Sequence, residues 1–305
     1  MTTKTPRTTL MLMALMAAMT APAATVYKTT SAHNHIAVED KDGYRILSFN
    51  GSMETRLLMR NHLQGHFEYT EYFQMPLLWN PKAKRVLMVG LGGGSTQRAF
   101  AHYYPDITVD TVELDPAVSK VAQDYFAVKV TPKHQIHHQD GRVFLRRNTQ
   151  VRYDAIVLDA YTSNRYGSFI PFHLATKEFF QLAKEDLTPN GVLAYNVIGN
   201  YQGWRADIVG SMYRTMKTVF PHVYHFPASD SKNIVMIAAK QARPLNSRTL
   251  RDYMTTMRRD RPKVSPTFWV RVLALRDKPP PSAERSPILT DNYTPVGGLL
   301  TSGGR

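Results

Sequence analysis

Apolar and polar positions along this chain follow two rhythms. Between residues 84 and 240, short aliphatic runs end in glycine or an acid, and most lead into a stretch of helical period. The run at 85–94, RVLMVGLGGG, predicts a buried parallel strand that ends in a tight turn at a helix N-terminus. Residues 107–112 form a second apolar run, followed by Glu113-Leu114-Asp115 and by Pro116 at the opening of a helix. Residues 134–138 alternate and lead to Asp140-Gly141, while YDAIVL at 153–158 ends in Asp159. VLAYNVI follows the turn Asn190-Gly191 as a fifth strand, and residues 222–226 with 233–239 pattern as an antiparallel hairpin. Helices are expected over 96–104, 117–126, 141–147, 174–187 and 204–220. Strands alternating with helices in this way predict a doubly wound, mostly parallel α/β sheet.

The flanks pattern differently. Residues 32–49 alternate around Lys41-Asp42-Gly43 as a hairpin, with a second turn at Asn50-Gly51. Residues 67–79 are aromatic with helical spacing, closed by Asn80-Pro81, so a small N-terminal β-rich subdomain leads into the sheet. Residues 246–276 are expected to be helical, before Pro279-Pro280-Pro281 and a tail. At the other end, Lys4 and Arg7 precede an acid-free apolar run over 10–19 that closes on Thr20-Ala21-Pro22-Ala23-Ala24. That is the plan of a secretory signal peptide, too short to span a bilayer, with cleavage expected after Ala23 or Ala24. The expected layout is a leader at 1–24, the β subdomain at 25–82, the α/β domain at 83–242, and a helical and Pro-rich segment at 243–305. The mature chain is expected to be exported, periplasmic or secreted, without a transmembrane segment.

Composition removes several functions. With no cysteine in 305 residues there is no disulfide, thiolate nucleophile or Cys-ligated zinc. The formal charge of +14 raises nucleic-acid binding, but the basic residues are scattered and no basic-aromatic recognition motif accompanies them. The charge reads as solvated surface, and no nucleic-acid partner is expected. No G-x-S-x-G elbow is present for serine hydrolysis. His134, His137 and His138 do not make a metal site, because on a strand His137 faces away from the other two.

The chemistry concentrates at one sheet edge. Gly90, Gly92 and Gly94 form G-x-G-x-G, with Ser95 where a dinucleotide fingerprint places its last glycine or alanine, which favours an adenosyl ligand lacking a pyrophosphate. Glu113 lies a little over twenty residues beyond, placed to accept hydrogen bonds from ribose hydroxyls. Any one of Glu113, Asp140 and Asp159 alone reads as a helix cap. All three, with the glycine loop, follow the C-terminal ends of successive strands, where open α/β sheets bind ligands.

These segments resemble the polyamine aminopropyltransferase (spermidine synthase) family, a branch of the class I methyltransferase-like fold, over residues 35–239. Phe49-Asn50-Gly51 and Glu68-Tyr69-Thr70-Glu71-Tyr72 resemble its N-terminal L-D-G and Y-H-E segments. Val112-Glu113-Leu114-Asp115 resembles its ribose-binding segment, Gln139-Asp140-Gly141 its adenine-contacting one, and Thr176-Lys177-Glu178-Phe179-Phe180 its T-K-E-F-Y. Asp159-Ala160-Tyr161, with Ile170-Pro171, His173-Leu174 and Thr176, is similar to a spermidine-synthase-like branch. The resemblance implies a seven-stranded Rossmann-type sheet and a transferase, with S-adenosylmethionine or its decarboxylated form as donor, a small amine such as putrescine as acceptor, and a homodimer. It assigns Gly90, Gly92, Gly94, Glu113 and Asp140 to the donor, Asp159 and Tyr161 to catalysis, and Glu54, Tyr69 and Glu71 to the acceptor.

One half of the family pattern is altered. Where the family carries D-S-S-D this chain has Asp159-Ala160-Tyr161-Thr162, so Thr162 replaces the aspartate that deprotonates the amine, and Thr70 replaces a histidine. Glu54, Glu71, Asp159 and Asp291 are the acids expected to hold a cation. Three functions remain open: amine alkylation from an adenosyl sulfonium, methyl transfer to an already nucleophilic acceptor, and non-catalytic binding of an adenosyl or polyamine ligand by an exported protein.

Overall fold

The computed structural model describes residues 23–164, 167–203 and 205–296. The predicted leader up to residue 22, and Trp204 at the expected start of a helix, lie outside the described residues. The described chain opens with a four-stranded antiparallel sheet in the order β1 (Ala24–Thr30), β2 (His35–Lys41), β3 (Tyr44–Phe49) and β4 (Ser52–Leu58). Its two tight turns use the left-handed pairs Asp42-Gly43 and Asn50-Gly51, all four with positive φ, as right-twisted hairpins require. The expected hairpin is thus the middle of a larger sheet, with β1 added at its edge. Ile36, Val38, Leu47 and Leu57 bury its inner face against Val118, Val121 and Phe126. Each large aliphatic side chain so buried contributes roughly 1.5–3 kcal/mol, enough to fix the subdomain over the α/β domain.

After a 3₁₀ turn (Glu68–Gln74) and α1 (Pro76–Trp79), the chain alternates. The elements are β5 (Arg85–Val89), α2 (Ser95–Tyr103), β6 (Thr108–Glu113), α3 (Pro116–Tyr125), β7 (His134–His138), α4 (Gly141–Arg147) and β8 (Tyr153–Leu158). A short hairpin, β9 (Thr162–Asn164) and β10 (Gly167–Phe169), interrupts the pattern before α5 (Lys177–Asp186), β11 (Leu187–Ile198), α6 (Ala206–Lys217), β12 (His222–Pro227) and β13 (Asn233–Ala239). The seven-stranded sheet runs β12-β13-β11-β8-β5-β6-β7, parallel except where β13 enters between β11 and β12. From β5 the chain builds outward through β6 and β7, then returns to β8 on the other side. That reversal opens a crevice at the C-terminal ends of β5 and β8.

Two expectations about helices change. Residues 246–276 form two helices, α7 (Leu250–Asp260) and α8 (Phe268–Val272), because Pro262 and Pro266 each restrict the residue before them and withhold an N–H. The helix expected from 174 begins at Lys177, where the Thr176 hydroxyl caps it by accepting from Phe179 N, after a 3₁₀ turn over Phe172–Leu174. Among the described residues no helix is long and apolar enough to cross a membrane.

Candidate active site

The glycine loop is shaped by what presses on it. Gly90 has φ +98°, and a Cβ there would lie 2.2 Å from the Asp159 carbonyl oxygen, so the ends of β5 and β8 meet only because position 90 has no side chain. On the other side, Gly93 donates its N–H to the Thr55 hydroxyl of β4 at 2.9 Å, and a Cβ on Gly93 would come within 2.7 Å of the Thr55 methyl. The loop is therefore wedged between β8 and the N-terminal sheet. Beneath it, buried Arg98 donates to the carbonyls of Gly93, Phe126 and His62, and burial lowers its pKa to about 10. Gly94 starts α2 in the left-handed region, and Ser95, Thr96 and Gln97 of its first turn line the cleft.

Each acid of the cleft is held by its strand end. Glu113 accepts from Leu91 N (3.0 Å) and Asp115 N (2.9 Å), and burial pushes its carboxyl up to about 7. Asp115 caps α3 through Ala117 N and accepts from the Ser31 hydroxyl, which draws His33 and Asn34 to the cleft wall. Asp140 caps α4 through Val143 N, and its other oxygen lies 2.7 Å from His173 Nε2, a contact that holds its carboxyl below the usual range.

Asp159 directly follows β8 and lines the crevice. Asn196 Nδ2 donates to one of its oxygens at 2.8 Å and the Tyr69 hydroxyl to the other at 3.2 Å. Asn233 in turn donates to Asn196 Oδ1 at 3.0 Å, which fixes the direction of the Asn196 amide. Burial pushes the Asp159 carboxyl up to about 6, so it is ionised at neutral pH yet still able to take a proton. Burial and the nearby Asp159 charge raise the Tyr69 phenol well above its ordinary value, leaving it a hydrogen-bond donor. Tyr161 lines the same wall and donates its hydroxyl to the Asn196 carbonyl.

Gly90, Gly92, Glu113, Asp140, Asp159, Tyr161, Glu54 and Tyr69 all line one cavity of about 340 Å³, within the range of small-ligand sites. Gly94, the residue before α2, is not part of the lining, and its α-carbon faces Val128. Two candidate acids are placed elsewhere. Glu71 turns away from the cavity into an ion pair with Arg271 of α8 and a 2.9 Å contact with His66. Asp291 makes a two-pronged pair with Arg142 and accepts from the Thr176 hydroxyl, fastening the C-terminal segment across α4 and α5. Thr162 is exposed on β9, with its hydroxyl 3.4 Å from the Phe169 carbonyl. Of the histidines, His134 contacts the Thr111 hydroxyl and His137 faces Asp110, and no metal-ligand cluster forms among the described residues.

Sequence reading missed Asn196, Asn233 and Thr55. Asn196 had a signal, a lone amide inside the apolar strand VLAYNVI; Thr55 had none.

Residues 66–245 match the family described as spermine/spermidine synthase domain. A polyamine aminopropyltransferase of Vibrio vulnificus is 31% identical over 227 residues, which cover 72% of this chain and 73% of that protein. The fold is similar to that of a probable spermidine synthase from Corynebacterium glutamicum, with a TM-score of 0.63 and 20% identity over 79% of this chain and 87% of that one. Human methyltransferase-like protein 13, solved in complex with SAH, has a TM-score of 0.56 and 25% identity over 65% of this chain and 93% of that one.

Proposed function

The chain belongs to the spermine/spermidine synthase family, and from that premise we propose that it alkylates an amine with an adenosyl sulfonium donor, using Asp159 as the base. The observation that carries this reading is the Asp159 carboxylate, oriented by Asn196 and Tyr69 beside the glycine loop and raised to about 6. An aliphatic amine near pKa 10.4 is protonated at neutral pH and has no lone pair until it loses that proton. Asp159 holds the ammonium and takes the proton. The freed nitrogen attacks the carbon beside the sulfonium, the carbon–sulfur bond breaks, and its electron pair stays on sulfur as a neutral thioether. Alignment of the two substrates in line supplies much of the acceleration.

For the donor, Glu113 offers the remaining lone pairs of both oxygens to ribose hydroxyls. Asp140 stands at the strand end where the adenine would lie. S-adenosylmethionine and its decarboxylated form both meet these demands. Methyl transfer is the second reading, supported by the first turn of α2, which carries no acid and suits the carboxylate of an unmodified methionyl tail. Export through the apolar leader is part of the proposal, and the secreted chain is expected to begin at Ala24 or Thr25.

Calorimetry with the two candidate product thioethers separates the readings. Tighter binding of 5′-methylthioadenosine is expected for aminopropyl transfer, and tighter binding of S-adenosylhomocysteine for methyl transfer. Binding of neither overturns the adenosyl reading.

A further inference from the structure

Asp140 reaches the cavity held on both of its oxygens. One accepts from Val143 N at 2.9 Å, and the other lies 2.7 Å from His173 Nε2. That contact holds the Asp140 carboxyl below the usual carboxylate range. An ionised carboxylate only accepts, so His173 Nε2 carries the hydrogen and donates it. Both side chains line the cavity and are partly exposed. The histidine is itself anchored. Its carbonyl accepts from the Arg142 guanidinium, which both oxygens of Asp291 grip in turn. Its 3₁₀ turn starts from Pro171, whose ring fixes φ, and leads directly to Thr176, the cap of α5. No step of the reaction proposed above uses the His173 ring.

Val143 N alone would leave the carboxylate free to turn, because the terminal torsion of an aspartate is broad. A second donor on the other oxygen sets the plane of the group. A carboxylate has about four lone-pair sites, so two donors leave room for an N–H of a ligand.

We propose that His173 is a positioning residue for the purine of the bound nucleoside, fixing the Asp140 carboxylate so that it accepts from the exocyclic amino group of adenine. This rests on the adenosyl reading above and deepens it, by assigning part of the base selectivity to the turn before α5. A carboxylate set in one plane accepts along a fixed direction, and its hydrogen bond with the amine is charge-assisted. Without His173 the ligand itself has to order that carboxylate, which weakens the contact.

The test is calorimetry of the full chain with 5′-methylthioadenosine and with its analogue that carries hydrogen in place of the purine amino group. The native chain is expected to bind the adenine form more tightly by about ten-fold or more. His173→Gln extends an amide N–H to the place of Nε2 and is expected to keep that preference within about two-fold of native. His173→Asn, whose amide stands near the place of Nδ1, falls short of Asp140. It is expected to cut the preference to about two-fold or less and to leave affinity for the amine-free analogue unchanged. Equal weakening of both nucleosides in His173→Asn would mark a purely structural role and overturn the proposal, as would the same preference in the two variants. A native chain that binds both nucleosides equally overturns the proposal and leaves the adenosyl reading standing. One that binds neither overturns both.

Discussion

Replacing Asp159 with asparagine is expected to lower kcat for amine alkylation by about 10²–10⁴-fold, the span that a positioned base contributes. Asparagine keeps the shape and can still accept the Tyr69 hydroxyl, so nucleoside affinity is expected to stay within about three-fold of native. The two results together identify a base; a fall in both would describe a damaged cleft. The pH profile gives an independent sign. The Asp159 carboxyl titrates near about 6 and only its ionised form can take a proton. With saturating nucleoside, native turnover should therefore rise as pH rises through about 6. The Asp159→Asn variant should lose that limb. Steady-state kinetics of both proteins from about pH 5 to pH 8 check this.

Replacing Glu113 with alanine is expected to weaken adenosyl binding by about 10²-fold or more. The variant loses the ribose acceptors and also leaves the amides of Leu91 and Asp115 without their partner. Hydrogen bonds to a charged group contribute roughly 1.5–3 kcal/mol, and each orphaned buried amide costs about 1–3 kcal/mol. The second cost falls on the glycine loop itself, which Glu113 pins through Leu91. Burial raises the Glu113 carboxyl to about 7, and its ionised form is the better acceptor for hydroxyls. Native affinity should accordingly increase as pH rises through about 7, and the variant should be flat there. Calorimetry at three pH values measures both effects, and unchanged affinity in the variant would remove Glu113 from the ribose site.

The donor half of the cleft was legible in the sequence because each of its parts follows directly from a strand end. Gly90, Asp140 and Asp159 occupy the first or second position after β5, β7 and β8, Glu113 is the last residue of β6, and period and punctuation alone place those positions at one sheet edge. The acceptor half depends on partners far away in the chain. Glu71 is claimed by Arg271, two hundred residues on, a long-range pairing that local pattern cannot show. Asp291 is drawn to Arg142 in the same way. Asn233 reaches Asn196 because β13 pairs with β11 in a register that sets Asn233 opposite Ile198. Strand β1 was missed for another reason: most of its residues face solvent, so an edge strand shows little apolar alternation. The break between α7 and α8 was written in Pro262 and Pro266, whose meaning the helical spacing around them obscured.

Thr162 sharpens the central claim. It is exposed at the cavity and hydrogen-bonded within its own hairpin, and in the proposed reaction the base is Asp159, the cavity acid that Asn196 and Tyr69 orient. The chemistry then rests on one carboxylate supported by two amides and a phenol. Mass spectrometry of the products formed by the full chain from decarboxylated S-adenosylmethionine and an amine tests this most directly. The account predicts 5′-methylthioadenosine and the N-aminopropyl amine in equal amounts, both lost in the Asp159→Asn variant. Absence of both products from a native chain that binds the nucleoside, or their undiminished formation by the variant, would contradict it.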